Sequence, residues 1–293
     1  MLTAPEAFAR DTITREGDAG RAWIAELPRR IEALCMQWRL VVDGPVMHGY
    51  LGLVIPVRRG DEPCALKVAW IEDFSADEAL ALATWNGQGA ARLIEVEPAL
   101  GAMLLERLDH RRSLEDIDIV TAVVVAGRLL RRLAIPAPPG LRPMQDIAAE
   151  MRRTMPDRWE RFGRSMPRRV LDRACDLAAQ LGASASRLLV NYDLHYGNVL
   201  AGAREPWLVV DPKVVAGDPE FGVAQLLWRR LEDIQAQGGL DRHFLALSEA
   251  AELDVTLTRA WTFARCADYW LWGLSVGLTE DPARCAAVIR WLD

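Results

Sequence analysis

The residues best equipped for chemistry lie in one stretch, Leu188-Leu-Val-Asn-Tyr-Asp-Leu-His-Tyr-Gly-Asn-Val-Leu200, and in its continuation, Trp207-Leu-Val-Val-Asp-Pro-Lys213. Asp193 and Asp211 offer carboxylates and Asn198 an amide oxygen. That hard-oxygen set suits magnesium carrying phosphates, with one carboxylate to spare as a base for an incoming hydroxyl. Three polar residues on a surface hairpin is the plainer alternative. The surrounding frame favours chemistry. Residues 188–190 read as a buried strand, and the turn Gly202-Ala-Arg-Glu-Pro206 folds 199–201 back antiparallel onto 207–210. Asn198 then precedes the outgoing strand and Asp211 follows the returning one, so the two are expected to face each other. Asp193 sits on the loop before them.

These residues resemble the aminoglycoside phosphotransferase family, a branch of the protein-kinase-like fold. Within it they look closest to the streptomycin 6-phosphotransferase and hydroxyurea-resistance kinases. Asp193-Leu-His-Tyr-Gly-Asn198-Val-Leu is similar to that branch's catalytic loop and Asp211-Pro-Lys213 to its metal-binding triplet, with Gly217-Asp218-Pro219 following at the expected distance. The resemblance covers roughly residues 20 to 290. It implies an α+β, two-lobe fold: residues 1–108 as a nucleotide-binding lobe with an antiparallel sheet and an N-terminal helical extension, and 109–293 as a helical lobe with the catalytic loop and acceptor site. It also implies ATP and Mg2+ as cofactors. The expected activity is phosphorylation of a hydroxyl on a small-molecule antibiotic, of streptomycin type. A kinase for another hydroxylated antibiotic or metabolite (a nucleoside antibiotic, hydroxyurea) is the rival enzyme, and a nucleotide-binding pseudokinase the rival from another class. Asp193 is expected to orient the acceptor hydroxyl and take its proton, Asn198 and Asp211 to hold the metal, and His195 to fix the loop through bonds to backbone. The chain departs from the family at Asn191-Tyr192, where His-Gly is usual, and at Gly222, where Asp is common.

Upstream, Trp23, Ile24, Leu27, Ile31, Leu34, Cys35 and Trp38 recur at helical spacing, with a break expected at Pro28 and a loose arm or short helix over 1–17. Residues 40–70 turn β-like. Gly49 and Gly52 lie in the first hairpin, where backbone can approach a nucleotide phosphate; an ordinary turn explains them equally well. Lys67 interrupts the apolar strand Cys64-Ala-Leu-Lys-Val-Ala-Trp70. The resemblance makes ATP phosphates its partner, and an edge-strand lysine facing water is the alternative. Glu78 either pairs with Lys67 or closes a capping box with Ser75. Two further strands, over 91–96 and 102–108, complete an expected five-stranded sheet. Backbone near Glu106 and Leu108 would meet the adenine edge in a kinase-like hinge, and 109–113 reads as a linker. Helices are expected over 117–134, 144–164, 167–181, 219–236, 240–252, 254–276 and 281–292, with Asp218 as a cap before Pro219. Glu232, Asp233 and Asp268 are candidate contacts for an amine-bearing substrate.

The 293 residues, 51% hydrophobic and 26% charged, suit an ordinary globular protein large enough for two lobes. A net charge of -6 argues against a nucleic-acid binder. Five scattered cysteines and four histidines form no zinc pattern, so reduced thiols are expected. Without a secretory signal or an apolar run long enough to span a bilayer, no membrane association and a cytoplasmic address are expected. Oligomeric state is not legible.

Overall fold

Trp23, Leu27, Ile31, Leu34 and Trp38 fall on one helix face, and that face builds the first core. The computed structural model describes the backbone of residues 3–71 and 75–293, and the side chains of these except at 75 and 76. The chain divides into two compact units, Met1–Leu108 and Asp109–Asp293.

In the first unit, helix α1 (Glu6–Trp38) starts earlier than expected and breaks elsewhere. Its backbone leaves helical geometry at Gly17 (φ 64°, ψ -135°), while Pro28 stays inside the helix. Pro28 removes one hydrogen bond, yet Leu27 and Ile31 on either side are buried in the same core, so packing holds the helix through it. There follow β1 (Leu40–Val42), β2 (Met47–His48), β3 (Gly52–Arg59), β4 (Glu62–Ala69), α2 (Ser75–Trp85), β5 (Leu93–Glu97) and β6 (Ala102–Glu106). The antiparallel sheet runs β1-β3-β4-β6-β5 with β2 added on β3, six strands where five were expected. The extra one is two residues long. Arg59 pairs with Glu62, so the β3–β4 turn is only Gly60-Asp61, a two-residue loop with Gly60 at φ 63°.

Cys64, Leu66 and Val68 of β4 are buried in the α1 core. The two-residue period of a strand therefore puts Lys67 on the opposite face. Because β4 lies between β3 and β6, Lys67 is not an edge lysine.

The second unit begins with β7 (Asp109–Ser113), which pairs irregularly with β9, so the expected linker is a strand. Helices α3 (Ile119–Leu133), α4 (Met144–Arg161) and α5 (Arg168–Ser184) precede β8 (Leu188–Asn191), β9 (Val199–Ala201), β10 (Leu208–Val209) and β11 (Val214–Gly217). Strand β11, unread in the sequence, pairs antiparallel with β8, and β9 pairs with β10 in the expected hairpin. The chain closes with α6 (Ala224–Trp228), α7 (Leu231–Ala236), α8 (Gly239–Ala251), α9 (Val255–Ser275) and α10 (Glu280–Leu292). The single helix expected over 219–236 is thus a 3-10 turn and two short helices. At Arg230 the backbone leaves helical geometry (φ -124°, ψ 42°), and its guanidinium donates to the Leu114 and Ile117 carbonyls at 3.0 and 2.9 Å. The aromatic residues expected to pack in α9 do so at Trp261 and Phe263, which are buried.

Candidate active site

Strand β8 delivers the catalytic-type loop and β11 anchors its start: the Tyr192 N–H donates to the Lys213 carbonyl at 2.9 Å. Asn191 is buried, and its Oδ1 accepts the N–H of Asp193 at 3.1 Å. A short amide side chain folding back on backbone two residues on is an Asx-type turn, which gives Asn191 a local reason to stand there. Leu194 and Tyr196 are fully buried, and the Tyr196 hydroxyl donates to the Leu226 carbonyl at 2.8 Å. The Asn191 turn on one side and these anchors on the other leave Asp193 half-buried.

The Asp193 carboxylate has two neighbours. Oδ1 accepts from Gln225 Nε2 at 3.0 Å, and Oδ2 lies 3.5 Å from the Lys213 ammonium. Arg265 of α9 donates from one Nη1 to the carbonyls of Tyr192 (2.8 Å) and Phe221 (3.0 Å), with its guanidinium 4.4 Å over the Phe221 ring. Burial pulls the Arg265 pKa down, against the carboxylates of Asp193 and Asp268. Gln225, Lys213 and Arg265 thus bond to the loop from outside it. Gly222 explains itself in the same place: a Cβ there would stand 2.9 Å from the Asn191 carbonyl oxygen and 3.1 Å from Leu130 Cδ1.

The hairpin mouth is offset from its expected form. The Asn198 carbonyl accepts from Val210 N–H at 2.9 Å, so Asn198 stands opposite Val210, with Asp211 one residue further on at φ 50°. An aspartate tolerates that left-handed backbone better than most residues. Among the described residues no three His, Cys, Asp or Glu side chains gather as a metal site. One amide oxygen and one carboxylate is still a donor set that fits magnesium, which completes its shell with water and phosphate oxygens.

His195 does not do what was expected of it: its buried Nδ1 has no hydrogen-bond partner. Burial holds its pKa below the usual imidazole range, against the nearby Asp193 carboxylate, so the ring is neutral at pH 7. Asp218 makes no side-chain cap. Its carboxylate instead accepts from Ser186 N–H at 2.7 Å and Trp261 Nε1 at 3.0 Å. The carboxylates considered for an amine-bearing substrate are held by arginines: Asp268 by Arg158 at 3.2 Å, Glu232 by Arg284 at 2.9 Å, and Asp233 by Arg230 at 2.7 Å.

In the first unit, Lys67 Nζ meets both carboxylate oxygens of Glu78, at 2.7 and 2.6 Å. Both side chains are about seven-eighths covered (13% and 14% exposed), so the pair is not a loose surface one. The Ser75 side chain of the alternative capping box lies outside the described residues. Gly49 N–H donates to the Gly52 carbonyl at 2.9 Å, closing the β2–β3 turn. Gly52 has a packing reason as well, since a Cβ would meet the Val68 carbonyl of β4 at 2.8 Å. The Glu106 N–H donates to the Arg92 carbonyl at 3.0 Å and its side chain accepts from Arg92 N–H at 2.8 Å, so this N–H is engaged within the first unit.

Sequence reasoning overlooked Gln225 and Arg265. Gln225 carried no signal. Arg265 did: it interrupts the apolar run Trp261-Thr-Phe-Ala-Arg-Cys-Ala267 just as Lys67 interrupts its strand.

The sequence matches the aminoglycoside/hydroxyurea antibiotic resistance kinase family over residues 37–277. It is 38% identical to the streptomycin 6-kinase of Streptomyces glaucescens, across 97% of this chain and 95% of that one. It is 40% identical to the hydroxyurea phosphotransferase of Kitasatospora aureofaciens, across 100% of this chain and 86% of that one. In three dimensions it is similar to a thermostable mutant of aminoglycoside phosphotransferase APH(4)-Ia, crystallised in a ternary complex with ADP and hygromycin B. The TM-score is 0.58 at 16% identity, covering 88% of this chain and 97% of the other, a likeness of fold.

Proposed function

The chain belongs to the aminoglycoside/hydroxyurea antibiotic resistance kinase family, with a protein-kinase-like fold, and on that footing we propose that it phosphorylates a hydroxyl of a streptomycin-type aminoglycoside. Bound Mg-ATP supplies the phosphoryl group and the cation that offsets its charge. Asp193 takes the proton of the acceptor hydroxyl as its oxygen bonds to the γ-phosphorus and the bridging P–O bond to ADP breaks. Gln225 fixes one Asp193 oxygen, which presents the other to the hydroxyl. Asn198 and Asp211 hold the magnesium. The first unit serves as the nucleotide lobe: Lys67, braced by Glu78, holds the α- and β-phosphates, backbone at Gly49 and Gly52 approaches them, and backbone at Glu106 and Leu108 meets the adenine edge. The second unit carries the acceptor. Its use of ATP supports a cytoplasmic address. Among the described residues no helix is long and apolar enough to cross a membrane.

The observation that carries this reading is the Asp193 carboxylate, bonded to Gln225 at 3.0 Å and 3.5 Å from Lys213, on a loop whose end is tied through Asn198 to Val210, just after β10. The test is ADP release with Mg-ATP across streptomycin, other aminoglycosides, nucleoside antibiotics and hydroxyurea. Asp193→Asn should lower turnover on the accepted substrate by about a thousandfold, the scale of a lost general base, while ATP affinity stays. Full activity in that variant would dismiss Asp193 as the base, and ATP binding without turnover on any acceptor would favour a pseudokinase.

A second acceptor class is supported by one observation. The candidate amine-binding carboxylates are already paired with arginines, which favours an acceptor with fewer positive charges, such as hydroxyurea or a nucleoside. Relative kcat/KM across the same panel separates the two.

A further inference from the structure

The N-terminal helix is joined to the β2–β3 turn by a contact that the proposed reaction does not use. The break at Gly17 ends the first helical segment. A left-handed φ of this kind comes readily only to glycine. The corner is tight. A Cβ at Gly20 would stand 2.8 Å from the Thr12 carbonyl oxygen and 2.9 Å from Glu16 Cβ, so the two helical segments touch there through backbone. This sets the direction of the segment before Gly17, and that segment reaches the hairpin tip. Phe8 packs its ring 5.5 Å from the His48 ring. Arg15 donates from Nη1 to the Tyr50 carbonyl at 3.2 Å, and its guanidinium carbon lies 4.6 Å over the Tyr50 ring.

The Arg15 side chain is only 20% exposed, with Glu16 at 2.6 Å as its counter-ion. Its Nη2 is buried with no hydrogen-bond partner among the described residues. Leaving a buried donor unpaired is costly, so this placement is not the one that solvation alone would choose. Tyr50, by contrast, is 76% exposed and the turn residue Gly49 has nothing near its Cβ position. Among the described residues, the N-terminal segment meets the outside of the turn through Arg15 at Tyr50 and Phe8 at His48. The family match begins at residue 37, beyond both Arg15 and the Gly17 corner.

We propose that Arg15 is a positioning residue for the nucleotide: from the N-terminal segment it pins the 49–52 turn in the conformation that lets backbone approach the phosphates. The proposal rests on the reading of the first unit as the nucleotide lobe. Arg15 acts through Tyr50 and touches no substrate. A pre-set turn lowers the ordering cost of binding, so the effect falls on nucleotide affinity and not on the transfer step.

The test compares the full chain with Arg15→Met, Arg15→Lys and Gly20→Ala. Arg15→Met keeps most of the apolar packing but loses charge and donors; Gly20→Ala strains the corner at Thr12 and Glu16 and leaves the Arg15 side chain itself in place. Three things are measured: hydrogen exchange over residues 47–53 without nucleotide, ATP and ADP affinity by calorimetry, and the split between KM for ATP and kcat. Arg15→Met should exchange faster at the turn and bind both nucleotides about tenfold more weakly, the value of one charge-assisted hydrogen bond. Its kcat, acceptor KM and melting temperature should stay near those of the unmodified chain. Arg15→Lys should recover part of the affinity, and Gly20→Ala should reproduce the loss. Unchanged exchange and affinity in Arg15→Met overturns the tether, as does a general rise in exchange with a lowered melting temperature, which marks a plain stability role. Absence of nucleotide binding by the unmodified chain overturns instead the reading on which the tether rests.

Discussion

Asp193 is held, not merely placed. Gln225 takes one oxygen and Lys213 stands beside the other. Burial would lower the Lys213 pKa, but the carboxylates of Asp193 and Asp211 more than offset it and the net shift is upward, so the group remains an ammonium at neutral pH. A cation beside the proposed base and near the proposed metal ligand is placed to meet charge on the transferring group. Lys213→Met should therefore cut kcat by roughly ten- to a hundredfold, less than a fully buried donor because its side chain is half exposed. ATP affinity should change little. An unaltered kcat in steady-state assays would remove Lys213 from the chemistry.

At the scale of elements, the loop between β8 and β9 is shaped by what surrounds it, and Gly222 shows how tightly. Restoring the aspartate common in the wider family would drive a side chain into the Asn191 carbonyl and Leu130. Gly222→Asp should lower stability by about 1–3 kcal/mol, the usual cost of overpacking, read as a fall in the thermal midpoint; an unchanged midpoint would mean the loop yields. Such dependence also marks where sequence reading succeeds. The β9–β10 hairpin was legible because its turn residues and flanking apolar strands are local signals, and Asp193, Asn198 and Asp211 came with it. Lys67 stood out because a charge within an apolar strand demands a partner. The reach of Gln225 to Asp193 was not legible, since nothing local ties a glutamine in α6 to a loop thirty residues earlier. Strand β11 was missed for a similar reason: Val214-Val-Ala-Gly217 becomes a strand only by pairing with β8. The break in α1 was misassigned because proline is the louder signal, while the backbone turned at the glycine.

For the whole molecule, ligand binding should register as stability. If the first unit binds nucleotide, Mg-ATP at a hundredfold excess over Kd adds about 2.7 kcal/mol and raises the melting midpoint. Lys67→Met should lose most of that rise, and an equal rise in both would exclude Lys67 from phosphate contact. The chain carries 35 basic and 41 acidic residues, yet several carboxylates suited to a cationic drug are already neutralised by arginines of the same unit. Those arginines are separate from Asp193, Asn198, Asp211 and Lys213. A single substitution such as loss of Arg284 would release the Glu232 carboxylate, 64% exposed, for a foreign amine and leave the groups bonded to Asp193 in place. Drug spectrum and catalytic speed can thus drift under selection as two independently mutable traits.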